Sequence, residues 1–187
     1  EDFTALSSLQ CHDNQLTILD VSNNTALTYL RCSNNQLTSF DISNNPVLDY
    51  LDCKENLLIN IDVSNNILLE RLFIENNQLT CLDISQNTAL NELKCNNNLL
   101  EQLDTKNGNW VNGVTIEAQT NNLICVEVDN LGYANSNWAG AFDSFVSFST
   151  NCNYTNPCTT VSSIQEQTIN KELLKVTDLL GRETKQT

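Results

Sequence analysis

From residue 6 to residue 128, apolar residues recur in one fixed frame. In the stretch 27–47, LTYLRCSNNQLTSFDISNNPV, they fall at Leu27, Leu30, Cys32, Leu37, Phe40 and Ile42, with Asn35 held polar between them. The frame returns 21 residues later at Leu48, then at Leu69 and Leu90, and it stands one period earlier at Leu6. A sixth copy follows a two-residue insertion, as Ile116, Ala118, Asn121, Leu123, Val126 and Val128. A period of this length predicts a stack of coils, each burying its apolar side only against its neighbours.

Each copy carries two triplets of the form apolar–x–apolar. The first set is 9–11, 30–32, 51–53, 72–74, 93–95 and 116–118; the second is 19–21, 40–42, 61–63, 82–84, 103–105 and 126–128. In a strand, alternate side chains point to opposite faces, so the outer members face inward and the middle residue faces solvent. The expected fold is therefore β-rich, with two parallel strand ladders. Burying each Leu, Ile or Val contributes about 1.5–3 kcal/mol before conformational entropy is subtracted.

The columns of the stack separate by chemistry. Cys11, Cys32, Cys53 and Cys95 share a column with Ile74 and Ala118, which points to small buried apolar residues and not to a metal site or bridges. Asn14, Asn35, Asn56, Asn77, Asn98 and Asn121 form a second column. A carboxamide both donates and accepts, so an amide ladder satisfying backbone groups at each bend is expected there in preference to a polar binding strip. Asp20, Asp41, Asp62, Asp83, Asp104 and Glu127 form a third, on the second outer face. Calcium bridging and local hydrogen bonding are both open to a carboxylate row. A flat row cannot wrap a calcium ion in several oxygens, which favours the second.

On the first outer face the columns vary instead of repeating. Gln10, Arg31, Asp52, Phe73, Lys94 and Glu117 run down its centre, with Ser8, Tyr29, Tyr50, Arg71, Glu92 and Thr115 beside them. Fixed columns serve the coil, whereas variable ones are free to serve a partner. Aromatic and Arg side chains are common interface anchors. The candidate binding surface is accordingly Tyr29, Arg31, Tyr50, Asp52, Arg71, Phe73 and Lys94.

Composition narrows the partner. The 187 residues hold 9 Lys and Arg against 23 Asp and Glu, a net charge of −14. Such a surface repels phosphate, which excludes nucleic acid and anionic membranes as natural partners. The apolar runs are too short to span a bilayer. No signal peptide stands at Glu1, where the chain enters mid-pattern, so the natural protein is expected to extend further N-terminally. No catalytic constellation, glycine-rich phosphate loop or metal-ligand motif is present, and no cofactor is expected. Cys11 and His12 are adjacent strand residues that point to opposite faces, so they cannot form a dyad.

The frame resembles the leucine-rich repeat, LxxLxLxxNxL, filled in order by Leu27, Leu30, Cys32, Asn35 and Leu37. Its 21-residue length and its second half, Leu37, Phe40, Asp41, Ile42 and Asn45, are similar to a short bacterial subclass with a nested half-repeat. The resemblance implies a right-handed solenoid over residues 1–128 and a non-enzymatic interaction scaffold. Residues 129–158 break the frame with Tyr133, Trp138, Phe142, Phe145 and Phe148, as expected of a cap with a helix around 138–144. The pattern CVEVDN…NW…FSTNC resembles the terminal cap of surface-exposed repeat proteins of the Bacteroidetes. That resemblance implies a Cys125–Cys152 disulfide worth roughly 3 kcal/mol; Cys81 and Cys158 have no assigned partners.

Residues 159–170 read as a linker. In 171–187, Val176, Asp178, Gly181 and Arg182 resemble a shortened type IX secretion C-terminal sorting domain. This implies a secreted protein, or one held on the outer-membrane surface of a Gram-negative bacterium. The expected function is recognition of a protein or glycan through the first face. The alternative is an acidic spacer that presents another domain.

Overall fold

A computed structural model describes residues 4–108, 114–154 and 158; the linker, the sorting-domain-like segment and the loop around Trp110 lie outside them. The chain winds as a solenoid of about seven turns. Its first sheet contains β1 (Ser8–Gln10), β2 (Tyr29–Arg31), β3 (Tyr50–Asp52), β4 (Arg71–Phe73), β6 (Glu92–Lys94) and β8 (Thr115–Glu117), all parallel and in that order. The second contains β5 (Cys81–Asp83), β7 (Gln102–Asp104), β9 (Cys125–Glu127) and β10 (Ser147–Ser149). Register follows the sequence period: Leu30 lies opposite Leu51, Leu51 opposite Leu72, and Leu72 opposite Leu93. Those four leucines are fully buried, as are Cys32, Cys53, Ile74 and Cys95 beside them. The expected β-rich solenoid is thus the fold observed.

Two details correct the expected elements. Strands of the first sheet begin and end one residue early, at 29–31 and not 30–32. The reason is the asparagine column. The carbonyl of Cys32 accepts from the Asn35 and Asn56 carboxamides at 3.0 and 3.1 Å, which ends strand pairing at Arg31. In addition, the second sheet has regular strands only in turns four to seven, and the triplets at 19–21, 40–42 and 61–63 form none. Their apolar residues are still directed inward, with Val21, Ile42 and Val63 buried.

Every bend uses the same devices. Asn56 donates to the carbonyls of Cys32, Cys53 and Lys54 and accepts from Leu37 N–H, and Asn35, Asn77, Asn98 and Asn121 repeat this pattern. One residue earlier, the backbone passes through the left-handed region at Asp13, Asn34, Glu55, Asn76, Asn97 and Thr120. Asn and Asp tolerate that conformation better than other non-glycine residues. A second amide ladder, not anticipated as a column, runs through Asn45, Asn66 and Asn87 at the opposite bend. Each donates to two carbonyls of the preceding turn.

The cap forms the seventh turn. Its helix α1 is Leu131–Asn137, earlier than the expected 138–144. Asn130 caps it by accepting Tyr133 N–H at 3.0 Å, and Gly140 follows soon after its end. Trp138 closes the helix and packs against Tyr133, Phe142 and Phe148, with centroids 6.0–6.3 Å apart. Asp143 accepts the N–H groups of Thr120 and Asn121, which the sixth turn would otherwise leave open. The apolar end of the stack is thereby covered.

Candidate functional site

Strand register brings the seven candidate residues onto one outer face. Tyr29, Tyr50, Arg71 and Glu92 stand in one row, and Arg31, Asp52, Phe73 and Lys94 in the next but one. The Tyr29 and Tyr50 rings stack at 4.3 Å, 9° from parallel. Phe73, one strand on and in the other row, meets Tyr50 edge to face at 5.5 Å. The Lys94 ammonium lies 5.9 Å from the centre of the Phe73 ring. An aromatic ridge therefore crosses the face diagonally, from turn two to turn four.

Ion pairs fill the two corners that the ridge leaves. Arg31 binds Asp52 at 3.1 Å beside the tyrosines, and Arg71 lies 3.8 Å from Glu92 beside Phe73. Lys94 binds Glu117 at 2.9 Å and lies 4.0 Å from Glu92. In three of these four pairs the cation comes from one strand and the anion from the next, whereas Lys94 and Glu92 share β6. Neighbouring turns are stitched together and the side chains are held in place.

Asp52 departs from the expectation. Its side chain is only 4% exposed, covered by Arg31 and bonded to Ser33 Oγ and Lys54 N–H. It is directed outward, as the alternation requires, but its neighbours close over it. It orients Arg31 and does not itself present a contact. Arg71 is the most open of the charged residues, with its side chain 55% exposed.

The outward columns of this face carry Arg31, Lys54, Arg71 and Lys94 against Asp52, Glu75, Glu92 and Glu117, so the face is close to neutral on a chain of net charge −14. Burial, with Tyr29 alongside, pushes the Tyr50 phenol up to about 12. The Glu117 bond raises the Lys94 ammonium, and burial raises the Glu75 carboxyl.

The second face is chemically occupied by its own backbone. Asp20, Asp41, Asp62, Asp83 and Asp104 each accept the N–H two residues further on, at 2.8–3.0 Å. The Ser22 hydroxyl and N–H hold Asp20 below its ordinary value, whereas burial raises Asp104. A groove of about 390 Å³ is lined here by Asp83, Gln102, Asp104, Glu127 and Tyr154. Its most buried carboxylate, Glu127, is paired with Lys106 and with Cys152 N–H. Among the described residues, no group of three or more His, Cys, Asp or Glu is placed to hold a metal ion.

Cys125 and Cys152 are bridged, with Cα atoms 5.8 Å apart. So are Cys81 and Cys158, at 5.7 Å. The signal for the second bridge lay in the columns: Cys81 and Cys125 occupy the same outward position of the second face, outside the buried cysteine column. Two disulfides are consistent with an extracellular setting. No helix among the described residues is long and apolar enough to cross a membrane.

Comparison with known proteins agrees with this geometry. A family model described as the LVIVD repeat matches residues 11–32, one turn of the stack. The functional domain of InlJ from Listeria monocytogenes, described as including a cysteine ladder, matches with a TM-score of 0.50 and 34% identity over 66% of this chain. The chain is leucine-rich-repeat-like. A Leptospira interrogans leucine-rich-repeat protein, LIC12759, shares the fold at a TM-score of 0.57 and 19% identity over 79% of the chain. The leucine-rich-repeat domain of APL1B matches at 0.44 and 19% over 57%. The chain spans only 34% of the InlJ domain and 43% of each of the other two. No curated protein matches the sequence.

Proposed function

We propose that this solenoid is a non-enzymatic recognition scaffold that binds a protein through its first face. The observation that carries the reading is the diagonal ridge Tyr29–Tyr50–Phe73, held in place by ion pairs on both sides. Side chains already fixed in place lose little entropy on binding, and aromatic and Arg anchors concentrate binding energy. A protein is favoured over a glycan by ring geometry. Tyr29 and Tyr50 cover one face of each other, and Phe73 stands nearly perpendicular to Tyr50, so the stacked faces are closed to a sugar. Near-neutral charge on an otherwise acidic molecule fits a partner patch that is itself apolar with mixed charges. Interaction scaffolding is also the common role of leucine-rich-repeat folds.

The site of action in this reading is the outer surface of a Gram-negative bacterium. The two disulfides and the sorting-domain resemblance of residues 171–187 support it. The test is affinity capture from cell-surface and matrix proteins with the wild-type chain and with a Tyr29→Ala/Tyr50→Ala/Phe73→Ala variant, beside a glycan array. The reading expects a discrete protein captured by the wild type and lost from the variant, with a silent array. Capture that survives the triple substitution, or binding to the array alone, would overturn it.

A further inference from the structure

After β10, three described residues, Cys152, Tyr154 and Cys158, meet strands of the second sheet in reverse order. Cys152 is bridged to Cys125 of β9, and its N–H donates to Glu127 at 3.0 Å. The Tyr154 hydroxyl donates to the carbonyl of Cys125 at 2.8 Å and lies 3.3 Å from that of Leu103 in β7. Cys158 is bridged to Cys81 of β5. The attachments of this strap thus fall on turns six, five and four, and the first and last of them are covalent. Regular second-sheet strands occur in these turns and the seventh, and are absent from turns one to three.

We propose that this strap is a load-bearing attachment. Tension on the chain beyond Cys158 enters the solenoid at Cys81, in turn four, and bypasses turns five and six and the cap. A stack pulled from its last layer peels layer by layer, because each layer is held only by its neighbour. Here the outermost layers carry no load while the outer bridge holds. The bridges are also nested: the loop closed by Cys81 and Cys158 contains the one closed by Cys125 and Cys152. If a thiol reductant opens the outer bridge, supplying two electrons and two protons to leave two thiols, load enters next at Cys125, in turn six. The chain therefore has two successive points of hold.

The test is single-molecule force spectroscopy on the full chain, pulled from its two ends. Under oxidising conditions the 77-residue span between Cys81 and Cys158 stays hidden, so the released length falls short of the full contour by about 260 Å. In a Cys81→Ser/Cys158→Ser variant only the 27-residue span between Cys125 and Cys152 stays hidden, about 90 Å. Reduced wild-type protein should release its full length. Reduction in the same instrument reads the outer bridge even if the variant folds poorly. Oxidised wild type that hides only the shorter length, or none, would overturn the proposal. So would a variant that hides as much as the wild type.

Discussion

The side chain of Asn56 accepts the backbone N–H of Leu37, 19 residues earlier, at 3.0 Å. Its amide group meanwhile donates to the carbonyls of Cys32, Cys53 and Lys54. One buried carboxamide thus joins two turns at their bend. Asn56→Leu leaves those groups unpaired and should cost about 3 kcal/mol, at about 1–3 kcal/mol for each serious loss. Asn56→Asp should be nearly as damaging, because a carboxylate cannot donate. Urea midpoints of the two variants check this, and an unchanged midpoint in either would contradict it.

Glu55 occupies the left-handed position of turn three, at φ 54°, where turns two, four and five have asparagine. Glutamate gains nothing from that conformation, which costs an ordinary L-residue about 1 kcal/mol. Glu55→Asn should therefore stabilise the protein by roughly 0.5–1 kcal/mol. A rise in thermal midpoint is the expected reading.

The four free thiols differ in access. Cys32, Cys53 and Cys95 are buried with no exposed surface, while Cys11, in the first turn, is half-buried. Burial pushes all four thiols above their ordinary value, which disfavours the reactive thiolate. Iodoacetamide at mildly alkaline pH should label Cys11 slowly and the other three only on unfolding. Mass spectrometry of the labelled native protein distinguishes these outcomes.

Glu127 sets part of the acid sensitivity. Burial alone would raise its carboxyl, but the bonds from Lys106 and from Cys152 N–H outweigh burial and hold it below its ordinary value. A depressed folded-state value contributes stability above the unfolded value, about 4.3, and loses it as pH falls through the folded value. Glu127→Gln should be less stable at neutral pH and should show a shallower loss between about pH 5 and pH 3. Denaturant melts across that range measure the slope.

How much could be read from the chain depended on whether a feature repeats. Leu30 over Leu51, the Asn56 ladder and the buried cysteines follow from period alone, because every turn poses the same packing problem. The outward direction of Tyr29, Tyr50 and Phe73 follows from strand alternation. Features that arise once were less legible, although resemblance to a terminal cap pointed to the Cys125–Cys152 bridge. The closing of Arg31 over Asp52 depends on which side chains happen to be neighbours. The missing second-sheet strands in turns one to three left no mark in the triplets, and the bridge from Cys81, whose outward column was a signal, has its partner Cys158 outside the repeat. The helix start at Leu131 turned on the cap at Asn130, a single local bond.

The central claim is that the variable face recognises and the repetitive face does not. It is tested most directly by site-specific photocrosslinking, with benzoylphenylalanine placed at Tyr50 in one protein and at Asp62 on the second face in another. Both are exposed to the same cell-surface and matrix proteins. A discrete protein adduct from position 50, with none from position 62, is the expected result. An adduct from position 62 alone, or none from position 50, would contradict the assignment.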